Sequence, residues 1–318
     1  MRKLVVLLPA LVACAWAQAP DFYKSVDSVT WVVQDLTPVA AAWQKLGAVV
    51  EDYGVTEHEA EFRGRAVKVK LHAAAARLGT LNVRWVQPIG GENAYTEFLA
   101  KHGDGVMSLM HRAPDTKALD DEIARMRAAG AGVLQRGTAG PVTYVHFDTE
   151  REGKYSLGLI TGADSEPPTA SEPVVSQYAF VVRDLRAVSA YWHKLGFPEM
   201  SFTHPPLTNL VYHGRAGHFD QQLGWQRHGK VVYEWIQPLK GPTVYRDQIK
   251  AHGEGFHHIA FDVPDMQKAV AQWSAPGYEV VQSGEWGEKN KPGWGRFTYI
   301  ATDVAGGVTV ELLWNYRP

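Results

Sequence analysis

Apolar and polar positions along this chain repeat one short arrangement four times. Residues 27–33 and 176–182 are rich in Val and aromatic side chains, the composition of a buried strand. Asp35-Leu36 and Asp184-Leu185 then open segments of helical period, with the aspartate placed to cap them. In the second, Leu185, Val188, Tyr191, Trp192 and Leu195 share one face, and Gly196 stands where a helix end turns left-handed. Strand-like runs follow, ending at 81–87 and 231–237, each closed by proline. Short strands at 106–111 and 256–263 start the pattern over, helices at 116–129 and 266–274 follow, and further strands end with 155–160 and 308–314. The spacing predicts β-α-β-β-β four times, an α+β fold. Trp43, Trp192, Trp85, Trp235 and Trp273 fit helix faces or strands and are assigned to the core.

Two of these units make one half of the chain, and the halves are copies. WVVQDLTPVAAAWQKLG (31–47) returns as FVVRDLRAVSAYWHKLG (180–196), WVQPIGGENAY (85–95) as WIQPLKGPTVY (235–245), and HGDGVMSLMHRAPD as HGEGFHHIAFDVPD. An offset of about 150 residues is too long for a solenoid and means two homologous domains. Each is large enough to bury its own core. The domains are placed at 24–162 and 174–316, joined by a Pro-, Ser- and Glu-containing linker at 163–173.

Composition narrows the partners. The chain is 45% hydrophobic and 21% charged, with a formal charge of −2, so no basic surplus is present for nucleic acid. Arg2 and Lys3 precede an apolar stretch at 4–12 that is too short to span a bilayer, and residues 1–17 read as a secretory signal. Two processing sites compete. Ala15-Trp16-Ala17 would free Gln18 and export the protein to the periplasm or beyond. Leu11-Val12-Ala13-Cys14 resembles a bacterial lipobox that would anchor it through Cys14. Simple secretion is favoured because the stretch before Cys14 is short. Cys14 is the single cysteine, so the exported chain has no disulfide and no thiolate ligand, and any metal must be held by N and O donors.

The paired units, with DL-helix-KLG, the W-x-Q-P strand end, HGEGFHHIAF and the final TDVAGGVTVELLW, resemble the vicinal oxygen chelate superfamily of glyoxalase I, bleomycin resistance proteins and extradiol dioxygenases. Within it, the second half is most similar to glyoxalase and methylmalonyl-CoA epimerase-like proteins. The resemblance implies that two units form one curved, mainly antiparallel eight-stranded cup. It also implies a metal held by one ligand from the first strand and one from the last strand of each unit.

Carried over position by position, those ligands are Gln177, Glu234, His258 and Glu311, a set suited to one divalent ion such as Zn, Ni, Co, Mn or Fe. The same positions in the first half are Ser28, Arg84, Ser108 and Gly158, which hold no metal. The first domain is therefore expected to be degenerate, and a site forms only if the third and fourth units close on each other. His257, next to His258 on a strand, is expected to face away from the metal. His204, His213, His218 and His228 form no ligand spacing.

Tyr299 lies on the hairpin leading to Glu311 and is a candidate substrate contact. Between Gln282 and Tyr299 the second half is about eight residues longer than the first, and this insertion suits a lid carrying Trp286, Trp294 and Arg296.

The resemblance implies proton abstraction next to a carbonyl, with Glu311 as base and Glu234 as its counterpart. The function expected is thus an exported lyase, isomerase or epimerase acting on a small-molecule carbonyl compound. Two alternatives stay open: a non-catalytic small-molecule binding protein, and an iron extradiol-type dioxygenase. Assembly as a homodimer also stays open. The dioxygenase is disfavoured because the resemblance asks for two histidines and one glutamate, and Gln177 stands in place of the first histidine.

Overall fold

The computed structural model describes residues 18–162 and 172–317. The proposed signal segment at 1–17 with Cys14, and linker positions 163–171, lie outside the described residues. Among the described residues no helix is long and apolar enough to cross a membrane.

The first half runs β1 (Ser28–Val32), α1 (Leu36–Lys45), β2 (Val49–Phe62), β3 (Arg65–Leu78), β4 (Leu81–Pro88), α2 (Ala94–His102), β5 (Gly105–Arg112), α3 (Thr116–Ala128), β6 (Val133–Ala139), β7 (Val142–Phe147), α4 (Glu150–Gly153) and β8 (Ser156–Thr161). Its eight strands close into a barrel in the order β1-β4-β3-β2-β6-β7-β8-β5. Closure is made where Ala60–Phe62 of β2 pairs with β6.

The second half runs β9 (Val174–Val181), α5 (Leu185–Lys194), β10 (Ser201–Thr203), β11 (Leu207–Tyr212), β12 (Arg215–Ala216), β13 (Asp220–His228), β14 (Val231–Lys240), α6 (Val244–Ala251), β15 (Gly255–Asp262), α7 (Met266–Ser274), β16 (Val280–Trp286), β17 (Gly295–Ile300) and β18 (Thr309–Asn315). Here the sheet has ten strands and stays open, with β10 at one edge and β12 at the other. The difference from the expected eight is local. Two long strands of the first half, β2 and β3, are each in two pieces here: β10 and β11 around Pro205-Pro206, which cannot donate to a ladder, and β12 and β13. The remainder is the α+β fold of two tandem domains that the pattern predicts.

The helices are set by their caps and their apolar faces. Asp35, Asp115, Asp184 and Asp265 each accept a backbone N–H of the first turn of α1, α3, α5 and α7. These four helices and the outer faces of both sheets form one apolar core that contains residues of both halves. The inner faces form two separate clusters, one per cup. Helices α2 and α6, capped by Asn93 and Thr243, join these inner clusters through Ala94 and Tyr95, and through Val244 and Tyr245.

Contacts between the halves are reciprocal. The indole N–H of Trp31 and Trp43 donates to the carbonyls of Gly306 and Ala305, and that of Trp192 donates to Gly153. Gly307, at φ +78°, lets its backbone approach Asp104 so closely that a Cβ would lie 1.9 Å from the Asp104 carbonyl oxygen. His102 Nδ1 lies 2.8 Å from the His252 carbonyl oxygen, and His252 Nδ1 lies 2.8 Å from that of His102.

Glu150 sits beside this pair, 2.7 Å from His102 Nε2 and bonded to Lys101 Nζ. Partial burial would raise its carboxyl pKa, but the hydrogen bonds and charges of His102 and Lys101 outweigh it and hold the group down at about 2. A depressed carboxylate contributes stability that is present above the unfolded value near 4.5 and is lost as the pH falls through the folded value near 2. In thermal melts between pH 5 and pH 2.5, Glu150→Gln should therefore flatten the acid-side loss of Tm. An unchanged slope would remove Glu150 from the acid response.

Candidate metal centre

Strand alternation and one bulge aim a set of polar side chains into the second cup. β9, β14, β15 and β18 lie side by side, with Glu234 opposite Ala179, Gln177 opposite Ala260, and Ala260 opposite Glu311. The alanines leave room for the larger side chains beside them. Gln177, Glu234, His258 and Glu311 are all buried, at 6%, 6%, 0% and 3% exposure.

His258 Nε2 lies 3.1 Å from Glu311 Oε2 and 3.4 Å from Glu234 Oε2. The Gln177 amide nitrogen donates to Glu234 Oε2 at 2.7 Å and to Glu311 Oε2 at 3.3 Å. Among the described residues, Glu234, His258 and Glu311 are the one group of acids and histidines whose ligand atoms fall within 4.8 Å of one another.

This arrangement places two carboxylates against one imidazole. Burial raises the Glu234 carboxyl above its usual range, and the pull of His258 opposes that only in part. Burial works against charging His258, but Glu311 and Glu234 outweigh it and push the imidazole up to about 9. Two buried carboxylates facing one imidazole leave net negative charge in a dry site, which is costly unless a cation joins them. Two carboxylate oxygens and one imidazole nitrogen are donors that a hard or borderline divalent ion takes. Gln177 reaches the same point, and its amide oxygen becomes a fourth donor on a half-turn of the amide.

The structure corrects the expectation for His257. The pairing of β15 with β9 shifts register between Phe256 and His258, so a bulge turns both histidines inward. His257 packs on Tyr245 and Tyr299, and its Nδ1 lies 2.7 Å from His258 Nδ1. Burial depresses His257 well below its ordinary pKa, so it is neutral and able to accept the His258 Nδ1–H. That bond orients the His258 ring with Nε2 facing the carboxylates and would keep the proton on Nδ1 when an ion takes Nε2.

The cup around these residues encloses about 410 Å³. Tyr299 lines it, as does Trp286 at the end of β16. Trp294 and Arg296 do not. Trp294 packs against Trp314 and Tyr316 and donates to Glu285, and Arg296 lies 3.6 Å from the same carboxylate. The insertion lengthens the β16–β17 hairpin and brings only Trp286 to the cavity.

Several lining residues were not singled out from sequence: Trp225, Arg227 and Tyr245, whose hydroxyl lies 2.8 Å from that of Tyr299. Tyr245 stood in the quoted repeat directly after the Pro-Thr-Val that starts α6, a cap signal that went unread. Burial pushes both tyrosines well above their ordinary pKa, so they are neutral hydroxyls.

In the first cup the corresponding strands carry Ser28, Arg84, Ser108 and Gly158. At the last, a Cβ on Gly158 would lie 2.1 Å from the Met110 sulfur, so Met110 occupies the space a ligand side chain would need.

Residues 176–299 match the family model described as the Glyoxalase/Bleomycin resistance protein/Dioxygenase superfamily. None of the curated proteins matches the chain significantly. Among solved structures, the chain is similar to a triple mutant of 4-hydroxymandelate synthase from Streptomyces coelicolor, at 14% identity and a TM-score of 0.59 over 93% of each chain. It is also similar to a xylose isomerase-like TIM barrel/4-hydroxyphenylpyruvate dioxygenase fusion protein, at 14% identity and a TM-score of 0.56, covering 98% of this chain and 51% of that one. At these identities the likeness is one of fold, and that fold is two tandem vicinal oxygen chelate domains.

Proposed function

We propose that this tandem vicinal oxygen chelate protein is a metal-dependent lyase, isomerase or epimerase that moves a proton next to a carbonyl group, with its one metal site in the second domain. The observation that carries the reading is the buried Glu234–His258–Glu311 cluster, with two carboxylates and one imidazole around a single point. A divalent ion bound there supplies polarisation of the substrate carbonyl and stabilisation of negative charge on its oxygen.

The chain's own residues do the rest. His258 is oriented by His257, and Glu311 Oε2 is held by His258 and Gln177. Its Oε1 makes neither contact and takes the proton from the carbon beside the carbonyl. The C–H bond breaks, its electron pair forms the enediolate, and Glu311 returns the proton to the same or the neighbouring carbon. In an epimerisation a protonated Glu234 delivers its own proton to the opposite face and Glu311 keeps the one it took. Trp225, Leu223, Phe297 and Leu313 give the cup apolar walls that exclude water, and the Tyr245 and Tyr299 hydroxyls orient a polar group. Export, as read from residues 1–17, belongs to the same proposal and would place the substrate outside the cytoplasm.

A second reading is an oxygen-using enzyme, favoured by the likeness in fold to the 4-hydroxyphenylpyruvate dioxygenase fusion protein. One experiment separates them. The metal-loaded protein is incubated in D2O with a panel of α-hydroxycarbonyl compounds, and with catechols in an oxygen electrode. Deuterium incorporation without oxygen uptake is the expected outcome. Oxygen consumption coupled to product, with no exchange, overturns the proposal.

A further inference from the structure

Among the described residues the first cup brings together no group of acids and histidines that could hold a metal, yet it has not filled in. It encloses about 460 Å³, against about 410 Å³ in the second. A barrel kept only as scaffold has no need of such a space, since packed side chains would stabilise it and an empty polar cavity does not. Its width has a visible origin. Ala75 stands opposite Arg84 on β3, where Trp225 stands opposite Glu234 in the second half, and Ala73 stands where the second half has Leu223.

The cavity contains one cation and no matching anion. Among the described residues no carboxylate pairs with Arg84, which projects from β4 at the position of a metal ligand in the other copy. The acid on the lining, Glu57, is half exposed and faces Lys68 at 3.7 Å. Around Arg84 the polar groups are neutral and tied to one another. Ser108 Oγ and the Tyr95 hydroxyl hold the two nitrogens of His146 at 2.8 and 3.1 Å, and the Tyr144 hydroxyl holds His58 Nε2 at 2.8 Å. Burial lowers His146 to about 3, so it adds no charge. His58 lines the cavity, and its Nδ1 is buried with no partner.

We infer that the first cup is a metal-free binding site for a small apolar or aromatic carboxylate, with Arg84 as the charge that receives the carboxylate. Arg84 is exposed within the open cup, where a guanidinium pairs with a carboxylate through two parallel hydrogen bonds, and the hydroxyls and neutral imidazoles on the lining neither repel an anion nor neutralise the cation. Leu71, Val86, Met110 and Ile160 supply the apolar wall for the rest of the ligand. This site is separate from the proposed catalytic one and does not depend on it.

The test is calorimetric titration of the metal-stripped full chain with benzoate and hexanoate, and with benzamide as the uncharged control. One saturable site per chain is expected, at least about tenfold tighter for benzoate than for benzamide. Arg84→Met should weaken benzoate at least tenfold, Arg84→Lys less, and Ala75→Trp should abolish binding by filling the cup while leaving the cation in place. Arg227→Met, in the second cup, should change nothing. Melting curves on the same samples show that the variants are folded. No saturable carboxylate binding up to about 10 mM, binding unchanged in Arg84→Met, or binding lost in Arg227→Met instead, each overturns the assignment.

Discussion

Protein purified with His258→Ala or with Glu311→Gln should carry less than about a tenth of a metal ion per chain, where the unaltered protein is expected to carry close to one. Losing a hydrogen-bond partner of a ligand costs 10- to 100-fold in metal affinity, so losing a ligand costs at least the upper end of that range. His257→Phe, which removes the acceptor for His258 Nδ1, should fall between, at about 10- to 100-fold. Stability separates this loss from misfolding. In the metal-free protein Glu234 and Glu311 are two buried carboxylates around one imidazole, and neutralising one of them relieves repulsion. Metal-free Glu311→Gln should accordingly melt no lower than metal-free unaltered protein, while metal raises the Tm of the latter alone. Elemental analysis beside melting curves with and without added ion checks both halves of the expectation. Full metal content in both variants would dissolve the site.

Truncating Trp43 to alanine should destabilise the whole chain by about 3–5 kcal/mol. The ring is 1% exposed, meets Trp31, Trp85 and Trp273 at 5.1, 6.5 and 6.4 Å between centroids, and donates to the Ala305 carbonyl at 2.9 Å. Trp273 and Ala305 belong to the second half, so the loss falls on the shared core as well as on the first barrel. Calorimetry should show one transition that moves down as a unit, and Trp192→Ala, which loses the reciprocal bond to Gly153, should behave alike. Two transitions, with only the first displaced by Trp43→Ala, would mean that the barrels unfold independently.

Much of the fold was legible because its signals are local. The spacing of Met266 and Trp273, with Asp265 ahead of them, marks α7, and Val and aromatic runs mark β1, β9 and β18. The positions of Gln177, Glu234, His258 and Glu311 were implied by the family resemblance of the motifs around them, and the structure brings those four side chains together.

What escaped is non-local. The bulge that turns His257 inward arises from how β15 pairs with β9, and nothing in Phe256-His257-His258 announces it. The opening of the second sheet depends on Pro205-Pro206, visible in the sequence but without meaning until β10 and β11 are seen as two pieces of one strand. Trp294 and Arg296 are lid candidates by the length and composition of the insertion, whereas hairpin register sets Arg296 opposite Glu285 and Trp314.

The crossed bonds between His102 and His252 have the form of a contact across a two-fold axis: each residue gives to the other what it receives. In a pair of identical subunits every substitution at such an assembly is made twice, so a change that abolished one ligand would abolish both. Here a covalent link joins the two partners, and the symmetry constrains only the surface they share. Arg84 can stand where its twin position keeps Glu234, because the joint between the halves is blind to what each cup contains.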